Sequence, residues 1–84
     1  MLSEVAKLYV EYKLRNRSRI MTFREFKEFI DIYNVLSNSG ILPPYDIKPK
    51  SEWRKLLGYD FSEYGIELKR DKNKIFIVYK NQET

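Results

Sequence analysis

Apolar residues recur along this chain with two periods, and the change of period divides it. Over residues 2–15, Leu2, Val5, Leu8, Tyr9 and Tyr12 fall at three- and four-residue steps, which places them on one stripe of a helix. Glu11 and Arg15 stand four apart in the acid-first order that supports a helical pair. Over residues 23–39 the pattern is stronger. Phe26, Phe29, Ile30, Tyr33 and Leu36 form the stripe, and Arg24, Lys27, Glu28 and Asp31 fall on the other side. Thr22 is a good N-cap, and Glu25 three residues on completes a capping box. Met21 and Phe26 occupy the positions of a hydrophobic staple. Gly40 supplies a left-handed stop, with Ile41 placed to close back on Leu36.

After Gly40 the helical period lapses. Pro43-Pro44 and Pro49 predict an extended connector over 41–50, because proline restricts itself and the residue before it. Ser51 then predicts the cap of a short third helix, Glu52–Leu57, ended by Gly58. Asp60 and Glu63 repeat the capping spacing before Gly65, which allows one further helical turn over Phe61–Tyr64. From residue 66 the period becomes two. Ile66-Glu67-Leu68-Lys69 alternates, and Ile75–Tyr79 is rich in β-branched and aromatic residues. The polar run Asp71-Lys72-Asn73-Lys74 between them predicts the turn of a β-hairpin over about 66–80. The expected fold class is α+β, a single domain over 1–84 with three helices followed by a C-terminal hairpin.

Composition narrows the chemistry. The chain has 84 residues with seven Tyr, five Phe and one Trp. A domain of this size buries only roughly 60–65% of its unfolded surface, so those rings must supply much of the core. It contains no Cys and no His. That removes disulfides, thiolate metal sites, the commonest general base and the usual pH switch. No glycine-rich phosphate loop or nucleophile elbow is present, so the expectation is a binding protein without catalysis, cofactor or metal. No apolar run reaches the roughly 20 residues of a membrane span. Glu4 and Lys7 interrupt the apolar residues of Met1–Leu8, which is not the pattern of a signal peptide. The expected setting is cytoplasmic, and the abundance of Lys, Glu, Ile and Tyr without Cys suits a thermophile.

The net charge is +4, but it is unevenly placed. Lys13, Arg15, Arg17, Arg19 and Arg24 lie within residues 13–24 with no acid among them. Lys48, Lys50, Arg54 and Lys55 surround a single Glu52, and Lys69, Arg70, Lys72 and Lys74 surround a single Asp71. The intervening segments 25–47 and 56–68 are net acidic. Three arginines in the five residues Arg15–Arg19 present rigid donor forks that fit phosphate, although cations at a helix C-terminus also complement its dipole. Trp53 beside Arg54 and Lys55 offers a flat aromatic next to cations, and its more ordinary role is packing against Leu56 and Leu57. The basic hairpin tip also has a plain role, keeping strand edges from pairing with other chains.

Helices, then a short basic helix, then a hairpin with a basic tip: in this order the chain resembles the winged-helix family. Ile20-Met21 would be the short first strand of that fold. The resemblance covers most of the chain and is architectural. It departs from the family in its long second helix and its long, proline-rich connector. It implies Arg54 and Lys55 on a recognition helix in the major groove, and Lys69–Lys74 as a wing on the flanking backbone. The expected partner is therefore nucleic acid, double-stranded DNA first. The alternative is an accessory subunit docking on a larger replication or transcription protein through Pro43, Pro44, Tyr45 and Trp53, since exposed prolines beside an aromatic fit a groove on another protein.

Overall fold

The computed structural model describes residues 2–41 and 47–80. In order these form helix α1 (Glu4–Arg15), strand β1 (Ile20–Thr22), helix α2 (Phe23–Asn38), helix α3 (Pro49–Gly58), a 3-10 turn (Ser62–Tyr64), and strands β2 (Ile66–Asp71) and β3 (Lys74–Tyr79). The three strands form one antiparallel sheet in the order β1-β3-β2, which establishes the α+β class. The predicted segment Pro43-Pro44-Tyr45 lies outside the described residues.

Local chemistry sets the element ends. The Ser3 hydroxyl caps α1 by accepting from the Ala6 N–H, and the Thr22 hydroxyl caps α2 by accepting from Glu25 N–H. At the far end of α2, Gly40 takes φ 80°. Its N–H bonds to the Ser37 carbonyl and that of Ile41 to Leu36, the two bonds of a Schellman stop. Helix α1 ends in the same motif, with Arg17 at φ 56° in the position glycine usually fills.

Four expectations need correction. Helix α3 begins at Pro49, not after Ser51. A proline at the first helical position lacks only an N–H that has no partner there, and its ring presets φ. The buried stripe of α1 runs through Leu2, Val5, Ala6, Tyr9, Val10 and Lys13, while Leu8 and Tyr12 are exposed. Glu11 turns to the Tyr64 hydroxyl rather than to Arg15. Only half of the predicted capping box forms at α2. The Glu25 carboxylate leaves its own helix and joins α1, accepting from the Tyr9 hydroxyl at 2.9 Å and the Lys13 ammonium at 2.7 Å.

The helices cover one face of the sheet. Ile75 and Ile77 of β3 point into the core with Met21 and Ile66, and Phe76 and Val78 face solvent. A chain of rings crosses the core from helix to helix. Tyr9 meets Phe26 at 5.1 Å, Phe26 meets Trp53 at 5.4 Å, and Trp53 meets Phe23 at 5.7 Å between centroids. Such pairs add about 0.5–1.5 kcal/mol each beyond the area they bury. This chain fixes α3 against α2, and so fixes the basic surface that α3 carries.

Candidate nucleic-acid interface

Helix α3 is divided sharply by burial. Glu52, Trp53 and Leu56 face inward, and Lys50, Ser51, Arg54, Lys55 and Gly58 face solvent. At 100° per residue the exposed set falls on one continuous stripe that contains no acid. Glu52, the one acid of this segment, is buried. It accepts from the Ser3 N–H at 2.9 Å and from Lys55 at 3.2 Å. Burial alone would raise the Glu52 pKa, but these hydrogen bonds and the Lys55 charge outweigh it and hold the carboxyl below its ordinary range.

The hairpin faces this stripe. Arg70 pairs across the sheet with Ile75, whose neighbour in β1 is Met21, so this row lies on the helix-covered side. Lys72 sits at the tip with φ 59°, a left-handed conformation that a lysine adopts at some cost. Arg70 holds the tip by donating to the Lys72 carbonyl at 3.2 Å. The first amide of α2, on Phe23, donates to the Asn73 carbonyl at 3.1 Å and ties the tip to the helices. Between α3 and the hairpin runs a groove of about 240 Å³. Lys50 and Arg54 line one wall, Arg70, Lys72 and Asn73 the other, and Phe23, Trp53 and Leu57 the floor. Among the described residues, none of these four cations has a carboxylate within 4.0 Å. Four like charges around one groove repel each other, and a bound polyanion would relieve that repulsion.

The remaining candidates are distributed differently. Lys55 stays on the exposed stripe but is paired with Glu52. Lys69 and Lys74 pair across the sheet with Phe76 and Asp71, which places them on the opposite, solvent face of the hairpin. Lys74 and Arg24 flank a second concavity of about 370 Å³ on that side of the tip, with Thr22, Phe23 and Asn73. Arg24 also pairs loosely with Glu28 at 3.8 Å, an exposed contact of little energetic weight.

The densest basic run is the one the fold leaves apart. Lys13 is buried against Glu25 and does not reach the surface as a free cation. The Arg17 guanidinium lies 5.9 Å from the Tyr79 ring centre, and the Tyr79 hydroxyl donates to the Ser18 carbonyl at 2.6 Å. The Arg19 carbonyl accepts from Ile77. Tyr79 closes β3 five residues from Lys74 and Ile77 stands three residues from it, so Arg17 lies about 17 Å and Arg19 about 10 Å along the strand from the tip.

Trp53, a candidate for docking a protein, is 8% exposed and belongs to the core, with only an edge left on the groove floor. Sequence reasoning missed Phe23 as part of that floor. Its place at the first turn of α2, just after the Thr22 cap, was a usable signal. Among the described residues there is no group of three or more carboxylates that could hold a metal ion. No helix there is long and apolar enough to cross a membrane. Comparison with known protein families, with curated proteins and with solved structures finds no match.

Proposed function

We propose that this protein is a non-catalytic nucleic-acid-binding domain that engages double-stranded DNA through α3 and the hairpin tip. The observation that carries the reading is the groove itself. Lys50, Arg54, Arg70 and Lys72 come from segments about twenty residues apart, and folding sets them on two facing walls with no acid between them. The element order and the β1-β3-β2 strand order agree with a winged-helix-like reading. In that reading α3 enters the major groove and the tip rests on flanking phosphates. The setting is the cytoplasm, where the nucleic acid is.

A duplex titration at several salt concentrations tests this. Each neutralised phosphate contributes about −0.9 to the log–log slope, so four contacts give a slope near −3.6. The paired substitution Arg54→Glu with Arg70→Glu should abolish most of the binding and flatten the slope. Weak binding that ignores both salt and that substitution sinks the proposal.

One observation favours a second reading, an accessory or regulatory subunit on a larger replication or transcription protein. Ile32 and Val35 of α2 and the following Ile41 are each more than 60% exposed. With Leu36 the first two line an apolar hollow on the outer side of the helix. Exposed apolar clusters of this kind mark protein contacts. Nuclease-resistant, stoichiometric recovery of one large partner from native extract would favour this reading. Its loss on Ile32→Glu would place the contact.

A further inference from the structure

A groove that only receives a sugar–phosphate backbone needs cations and no aromatic floor. This one has both. Phe23 and Trp53 line its base with Leu57, and their rings stand at 69° to one another. A flat ring laid on Phe23, the more exposed of the two, meets the edge of Trp53, a favoured arrangement for aromatic contacts. The floor is also preformed. The Phe23 backbone is tied to Asn73, and Trp53 is backed by Phe26. The volume of about 240 Å³ equals about eight waters at ~30 Å³ each. That is room for one planar ring system, and the groove is open to solvent above it. The two walls above the floor carry Lys50 and Arg54 on one side and Arg70 and Lys72 on the other.

We infer that this groove holds a single unstacked nucleotide unit, its base on the Phe23–Trp53 floor and its phosphates between the two cationic walls. The inference rests on the nucleic-acid reading above and deepens it, because it selects an unpaired nucleotide at a strand end or bulge over a uniform duplex. A free nucleotide offers the same chemistry, so the test must separate the two sources. Trp53 is the only tryptophan in the chain, and its emission reports directly on the floor.

The experiment uses the full chain and follows anisotropy of labelled DNA together with Trp53 emission. The probes are a blunt duplex, the same duplex with one unpaired adenosine at its 5′ or 3′ end, the same overhang made abasic, and ADP alone. Stacking of one base on an aromatic platform corresponds to a gain of about fivefold or more. The unpaired adenosine should therefore tighten binding at least fivefold over the blunt and abasic duplexes, and should quench Trp53. If ADP alone quenches Trp53 and displaces the overhang duplex, the source extends to free nucleotide. If ADP does neither, the source is the nucleic-acid strand. Phe23→Leu should remove the preference for the overhang over the blunt and abasic duplexes. Arg70→Ala, at an exposed position, should weaken the quenching without disturbing the core. Equal affinity for blunt and overhang duplexes, with unchanged emission in every titration, overturns the inference. Steeply salt-dependent duplex binding in that last case would leave the nucleic-acid reading standing while removing the pocket.

Discussion

Arg15–Arg19 and the α3–hairpin groove hold comparable densities of positive charge, yet the fold treats them oppositely. The first is a contiguous run from the last residue of α1 into the loop after it. Arg17 closes a helix stop and lies over Tyr79, and the Ser18 and Arg19 carbonyls accept from Tyr79 and Ile77, while the Arg15 and Arg19 side chains are exposed and line none of the basic groove. The groove is assembled from residues separated in sequence, and its four cations face open space. Density along the chain is therefore a poor guide to a field in space. What matters is which side of an element each cation takes, and whether a neighbouring element presents more of the same sign.

Substitutions can break this comparison, beginning with the largest effect. Phe26→Ala removes the centre of the ring chain that joins α1, α2 and α3. It should cost about 3–5 kcal/mol in urea unfolding and disable both basic regions alike, because neither survives loss of the fold. Arg54→Ala with Arg70→Ala should leave the melting temperature nearly unchanged and weaken duplex binding by about a hundredfold, at roughly tenfold for each charged contact. The triple change Arg15→Ala, Arg17→Ala and Arg19→Ala should lower affinity far less, by a few-fold through the general field. Equal losses in the two sets would contradict the contrast.

Lys13 and Lys50 sharpen it further. Lys13→Met leaves the Tyr9–Glu25 contact without its cation and should cost about 1–2 kcal/mol, less than a fully buried pair because Glu25 is partly solvated. Duplex affinity should not change. Lys50→Ala should do the reverse, with stability moving by less than about 0.5 kcal/mol. Lys72→Gly separates shape from charge at one residue. It relieves a left-handed lysine at the tip, so stability should hold or rise by up to about 1 kcal/mol, while binding weakens.

The acid side of the fold predicts its pH response. For Glu25, burial pushes the pKa up, but the bonds from Lys13 and Tyr9 and the Lys13 charge pull it below the ordinary 4.5. Glu52 is lowered in the same sense by Ser3 and Lys55. A depressed folded-state pKa contributes stability above the unfolded value, and that contribution is lost as pH falls below about 4.5 through the folded value. Thermal melts should drop on acidification below that point, and Glu25→Gln should make the drop shallower. Burial also raises the Tyr9 pKa, so its hydroxyl stays protonated and keeps donating to Glu25 at alkaline pH.

The amino-acid pattern carried much of this fold because its signals are local. The Thr22 cap, the Gly40 stop and the Asp71–Lys74 turn each act within a few residues, and each forms where its chemistry places it. The three-residue strand at Ile20 was expected only from the resemblance in element order, with no local signal of its own. The errors came where two local rules compete or where a distant group decides. Pro49 both discourages helix before it and favours helix at its own position, and the second effect wins at α3. Glu25 satisfies a partner on α1 sixteen residues away in preference to its own cap. The site was legible only in part. Arg54 and Arg70 were visible as cations, but their meeting depends on the β2–β3 register and on the packing of Trp53 between Phe23 and Phe26. No window of sequence contains those facts.

Amide chemical shifts followed while a DNA duplex is added test the central claim most directly. Binding in the groove gives saturable shifts concentrated at Lys50–Arg54 and Arg70–Asn73, with Arg15–Arg19 little moved. Shifts concentrated at Arg15–Arg19, or no saturable shift at low salt, would contradict it.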